Sequence, residues 1–147
     1  MDYAFAYIEK TPLMKEADYP YTGHHNLFSK CKAEEGKGVG HVVGFNDVKP
    51  KDLDQMKAAL AAGPVSVAIE ADKSVFQSYR TGVITSRTCG VKLDHGVLAV
   101  GYGIETNGGD YILVKNSWGA TWGMQGYVKI GTDNVCGILE QPSYPTE

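Results

Sequence analysis

A chain of 147 residues is long enough for one domain with a real core, and its 14 basic against 17 acidic residues leave a net charge of −3. No basic cluster is present, which argues against nucleic acid and anionic membrane as partners, and no apolar run nears the roughly 18 residues of a membrane span. Eighteen glycines and nine tyrosines favour a β-rich, loop-rich fold, and three cysteines leave either one pair plus an odd thiol or a partner elsewhere.

Met1 to Glu9 predicts a helix with Tyr3, Ala4, Tyr7 and Ile8 on one face and Phe5 beside them. Lys10 and Pro12 end it. No signal-peptide pattern is visible; MDYAFAYIEK already reads as a packed helix, so the chain starts abruptly. Thr11 to Gly38 reads as a long loop that needs a tether, for which Cys31 is the candidate. Its adjacent histidines, His24 and His25, read as solvent-facing. Pro12 to Gly40 is the one stretch resembling a linker between two units.

His41 to Val48 predicts a strand. Pro50 to Ala62 is the clearest helix, with Asp52 as N-cap, Leu53, Met56 and Leu60 as its apolar stripe, and Gly63 and Pro64 ending it. Val65 to Ile69 alternates and predicts a strand. Ser74 to Tyr79 predicts a short helical turn, Gly82 to Ile84 an extended segment, and Gly126 to Ile130 the last strand. The tail ends SYPTE.

The stretch from Leu93 to Gly131 organises the rest. Two β-rich runs around an Asn-Gly-Gly segment predict an antiparallel hairpin. Pairing symmetric about residues 105 and 106 sets Tyr102 against Gly109, spans the loop from Gly103 to Gly108, and places His95 directly opposite Asn116. Directly opposed residues project on one face. The amide oxygen would then accept from one ring N–H and leave the other nitrogen to exchange a proton. The plainer reading is a strand-end histidine that finds a core partner.

Cys89 and Cys136 flank the hairpin and the last strand. Joining them would close a long loop, worth about 4 kcal/mol in the chain-entropy model. That would point to an oxidising compartment. Two buried thiols are the alternative. No CxxC or HxxxH spacing points to zinc.

Beyond these local readings, LDHGVLAVGYG followed by YILVKNSWGATWGMQGYVKI resembles the papain family of cysteine peptidases, its cathepsin L-like branch in particular. MDYAFAYI, ADYPYTG, LAAGPVSVAIEA, YRTGVI and CGILEQPSYPTE match in the same order, so the resemblance covers essentially the whole chain. It implies an α+β fold: a papain-like β-barrel lobe of antiparallel strands and short helices over residues 41–147, with a remnant of the helical lobe over 1–40. It also implies peptide-bond hydrolysis, with His95 and Asn116 as the family's catalytic histidine and asparagine. Trp118 would shield their hydrogen bond and form part of the primed side of the cleft, while Trp122 supports the loop. Met1, Ala68, Leu93 and Gln141 would line the pocket for the second substrate residue upstream of the cut, and the backbone around Asp94 would lie along the cleft. The neutral Gln141 would favour hydrophobic residues with some polar tolerance. Cys89 and Cys136 match a family disulfide, and Cys31 matches half of another.

The resemblance is incomplete in one respect. The family's nucleophile motif, a cysteine in a CGSCW-like stretch, is absent, as is the upstream glutamine of the oxyanion hole. Roughly the first third of the mature enzyme would precede Met1. The expectation is a chain carrying base and orienter, inactive alone, with the aromatic face of Met1 to Glu9 exposed or used in self-association. Two other classes compete: a non-catalytic, silicatein-like homologue with serine at the nucleophile position, and a binding module completed by a partner chain. The resemblance further implies peptide and protein substrates, cystatin-like inhibitors or a propeptide as partners, no metal or organic cofactor, and a lysosomal or secreted setting.

Overall fold

The computed structural model describes residues 1–23, 30–34, 36–85 and 88–146. His24 and His25 lie outside the described residues. The chain divides into two compact units. The larger comprises Met1 and Asp47–Tyr144, the smaller Asp2–Asn46 and Pro145–Glu147.

In the smaller unit, helix α1 spans Asp2–Ile8. Phe5 is buried and stacks on Phe45 at 5.8 Å, whereas Tyr3 is 95% exposed and Tyr7 51%. The helix thus buries Phe5 and leaves its tyrosine face open. Leu13 bridges to Gly40. Strand β1, Gly44–Asp47, is shorter than the sequence predicts. It lies beside β7, Ser143–Thr146, and just before it the N–H of Val43 donates to Thr146 O at 2.9 Å. The sequence shows no sign of β7: four residues with an internal proline fall below any alternation signal.

In the larger unit, α2 spans Leu53–Ala62, and the Asp52 side chain caps it by accepting from Gln55 N at 3.0 Å. Met56 and Leu60 turn inward. β2, Val65–Ile69, alternates buried with half-buried residues. Then come α3, Ser74–Gln77; β3, Val83–Ile84; β4, His95–Glu105; β5, Gly109–Lys115; and β6, Tyr127–Gly131. The ladder there runs β7-β2-β4-β5-β6-β3, antiparallel except for the β3–β6 pair. Val65, Val67 and Ile69 face Ala99, Val97 and His95 across the β2–β4 pair. Apart from His95, these residues join Ile112, Val114, Val128 and Ile130 in one apolar core, packed with Met56, Leu60 and Phe76. Burying each such side chain contributes about 1.5–3 kcal/mol.

The expected hairpin exists, but its register differs. Glu105 faces Gly109 and Tyr102 faces Ile112, not Gly109. The connection is a tight turn over residues 106–108, closed by Gly108 N–H to Glu105 O at 3.1 Å. Gly109 follows at φ +73°, the left-handed position that such a turn needs and that glycine adopts without strain. The strands therefore pair further toward the tip. His95 does not stand opposite Asn116: its ladder partner is Ile69, and β4–β5 pairing ends at Leu98–Lys115.

Candidate active site

His95 opens β4, and Asn116 follows the last residue of β5. Although not opposed, their side chains meet: His95 Nε2 lies 2.8 Å from Asn116 Oδ1. That oxygen also accepts from the Ser117 N–H at 2.8 Å. Two donors on one atom fix which way the amide points. Because an amide oxygen only accepts, Nε2 carries the proton, and Nδ1 is left to take one up or give one away. Asn116 is 8% exposed, and its backbone N–H donates to Gly126 O at 2.9 Å. Its Nδ2 has no partner among the described residues.

The pair sits under aromatic cover. Trp118 stacks on the imidazole with centroids 5.1 Å apart and planes 28° apart. Phe76 presents an edge to both rings, 6.4 Å from His95 and 5.4 Å from Trp118. Trp122 packs on Phe76 at 5.0 Å and donates from Nε1 to Gln77 O at 3.0 Å. Water is kept from one side of the histidine–asparagine bond, while Trp118 itself remains 40% exposed. The loop that carries the tryptophans depends on Gly123, at φ +57°, where a Cβ would stand 2.7 Å from Tyr127 O.

Asp94 anchors the entry to β4. Its N–H donates to Ile69 O at 3.0 Å, and its Oδ1 accepts from Ala71 N at 2.7 Å. Beside the pair, Met1, Ser66, Gly96, Lys115, Asn116 and Ser117 line a groove of about 420 Å³. At Gly96 a Cβ would come within 3.0 Å of Met1 Cε. Ala68 pairs with Gly96 across β2–β4. Ala68 is not itself among the residues that line the groove. Leu93 packs instead at Gly137, where a Cβ would lie 2.7 Å from its Cδ2. Gln141 is exposed and is not among the groove residues. Gly96, Ser117 and Phe76 are site residues that the sequence reading does not single out. Only the glycine and the serine carry a signal, since each adjoins a residue it does single out.

Cys89 and Cys136 are disulfide-bonded, with Cα atoms 4.6 Å apart, whereas Cys31 is a free, exposed thiol. Among the described residues, no group of three or more His, Cys, Asp or Glu could hold a metal ion.

The family model "Papain family cysteine protease" matches residues 1–146. The chain belongs to the papain family of cysteine proteases. Cathepsin L of Sarcophaga peregrina is 46% identical over 151 residues, covering 99% of this chain and 44% of that protein. Cysteine protease XCP2 of Arabidopsis thaliana is 46% identical over 153 residues, covering 100% of this chain and 42% of its own length. The chain therefore spans less than half the length of these relatives. Among solved structures, a Carica candamarcensis cysteine protease in complex with E-64 superposes with a TM-score of 0.86 at 35% identity, covering 99% of this chain and 67% of that one. The papain-like α+β fold is common to both.

Proposed function

We propose that the chain carries the general base and the orienting amide of a cysteine endopeptidase. The observation that carries this reading is the 2.8 Å bond between His95 Nε2 and Asn116 Oδ1 beneath Trp118. It presents Nδ1 for proton exchange in a partly dry setting. A cysteine thiolate attacks the peptide carbonyl carbon; the imidazolium of His95 then protonates the departing amine. Water, losing a proton to His95, hydrolyses the thioester and releases the acid. Asn116 holds one tautomer and ring orientation throughout.

The thiolate comes from outside these 147 residues. Cys89 and Cys136 are joined to each other, and Cys31 does not stand in a CGSCW-like stretch. The isolated chain is therefore inactive. Residues 1–40 are the remnant of the helical lobe, and 41–147 the barrel lobe. Met1, beside Gly96, supplies one wall of the pocket for the second residue upstream of the cut, and Ala68 is the ladder partner of that glycine. Peptides and proteins are the substrates, and cystatin-like inhibitors or a propeptide would bind the same cleft. The disulfide favours an oxidising compartment, lysosomal or secreted.

The test is a fluorogenic peptide assay. The chain alone should show no E-64-sensitive turnover. Fused after the nucleophile-bearing segment of a close relative, it should gain turnover that His95→Ala lowers about 10²–10⁴-fold. Turnover by the chain alone, or a fusion indifferent to His95→Ala, rejects the proposal.

A further inference from the structure

Glu70 follows the last residue of β2 and breaks its alternation, for Ile69 and Glu70 are both buried. A carboxylate that is only 3% exposed is costly unless its oxygens are matched. Both are matched here. Oε2 accepts from the backbone N–H of Lys92 at 2.5 Å, and Oε1 lies 2.9 Å from Lys73 Nζ. Gly90 crosses directly over the carboxylate: a Cβ there would stand 2.5 Å from Oε2. The N–H of Glu70 itself donates to Cys136 O at 2.8 Å. Glu70 is thereby fixed to one half of the disulfide while its side chain grips the segment that follows the other half.

The consequence falls on His95. Three bonds join residues 69–71 to residues 92–94: Lys92 N–H to Glu70 Oε2, Asp94 N–H to Ile69 O, and Ala71 N–H to Asp94 Oδ1. His95 is the next residue. We propose that Glu70 is a positioning residue for His95, its ionised carboxylate fixing residues 90–94 and so the point from which the imidazole reaches Asn116. This inference rests on the reading of His95 as the base.

The carboxylate's charge matters as well as its shape. Two donors, the Lys92 N–H and the Lys73 ammonium, converge on it, and a glutamine offers one acceptor oxygen for both. The groups facing Glu70 are Lys73, at the start of α3; Asp72, which pairs with Lys73 at 3.0 Å; and the Lys92 backbone. Lys73, and next the Lys92 N–H, hold the Glu70 carboxyl below the usual carboxylate range.

The experiment uses the intact, disulfide-bonded chain with isotope-labelled histidine. NMR follows the His95 Nε2–H proton in the wild type, Glu70→Gln and Glu70→Ala. Its exchange with water should quicken about fivefold or more in both variants, while amides of Val97, Ala99 and Val114 keep their protection. The wild-type His95 ring signals should also show an inflection at acid pH as Glu70 gains a proton, and Glu70→Gln should lack it. Unchanged Nε2–H exchange, or an inflection that persists in Glu70→Gln, overturns the proposal. Should Glu70→Ala fail to fold, Glu70→Gln and the pH profile decide. An inactive fusion enzyme would sink the peptidase reading and leave this measurement standing.

Discussion

His95 and Asn116 share one face of the sheet because Val100, between them along the ladder, has no partner on β5. Ala99 faces Val114 and Gly101 faces Leu113, so one residue is extra. Toward the tip, pairing follows the Gly101–Leu113 register; carried straight on, it would set Asn116 against Leu98, on the face away from His95. A one-residue slip turns a strand over. The bulge supplies that slip: continued one step past the last pair, Leu98–Lys115, the register sets Asn116 on the face of Val97, two residues from His95. Bulges serve this purpose beside many active sites.

The first prediction concerns the amide. Asn116→Ala removes the acceptor for both His95 Nε2 and Ser117 N–H. A hydrogen bond to a group that becomes charged is worth about 1.5–3 kcal/mol, so kcat/KM of the fused enzyme should fall roughly 10–100-fold. Asn116→Asp should retain more activity, because it keeps an acceptor. Equal losses in the two variants would show that the oxygen is not what holds the ring.

Two glycines should respond differently to the same substitution. At Gly123 a Cβ would meet backbone, Tyr127 O at 2.7 Å, with φ at +57°. Gly123→Ala should therefore cost about 1–3 kcal/mol in urea unfolding. At Gly96 the neighbour is Met1 Cε at 3.0 Å, the far end of a flexible side chain. Gly96→Ala should cost less than about 1 kcal/mol, yet narrow the groove. The reverse order of midpoints would mean that backbone conformation is not what Gly123 provides.

Much of this fold can be read from the residues. Asp52 as cap, Met56 and Leu60 as stripe, and the bounds of β2 follow from capping and alternation alone. So does the hairpin, because Asn107-Gly108-Gly109 admits few other structures. The register does not, since turn length depends on which glycine takes the left-handed position, and nothing local marks Val100 as the extra residue. The meeting of His95 and Asn116 is thus expected for a partly wrong reason. Direct opposition is the route that alternation suggests, whereas a bulge and a diagonal neighbour are the actual one. Glu70 is harder still to foresee. In VSVAIEA a glutamate just past the strand end looks solvated, and its partners are a backbone N–H and a lysine three residues on.

Stability should depend on pH through Glu70. Lys73, then the Lys92 N–H, lower its folded pKa below the ordinary value of 4.5. A depressed carboxyl contributes stability that is present above its unfolded pKa and lost as pH falls through the lower folded one. The urea midpoint of the wild type should thus exceed that of Glu70→Gln at neutral pH. The gap should close as the solution is acidified below about pH 4.5. A gap constant down to pH 3 would assign the difference to packing instead of charge.

The disulfide offers the last prediction. Cys89–Cys136 closes a separation of 47 residues and links the segment before His95 to the turn at Val135–Gly137. Cys136 and Gly137 within that turn, and Asn134 just before it, have positive φ, a conformation costly for the two residues that are not glycine. Glu70 N–H to Cys136 O holds the same turn from the other side. Replacing both cysteines by alanine frees the denatured chain and leaves this turn with one tether fewer. The loss should be about 2–5 kcal/mol, read from urea unfolding followed by far-UV circular dichroism. Cys31→Ser, at an exposed free thiol, should leave the midpoint unchanged and serves as the control. A double variant as stable as the parent would mean that Glu70 and the sheet hold the turn without the covalent link.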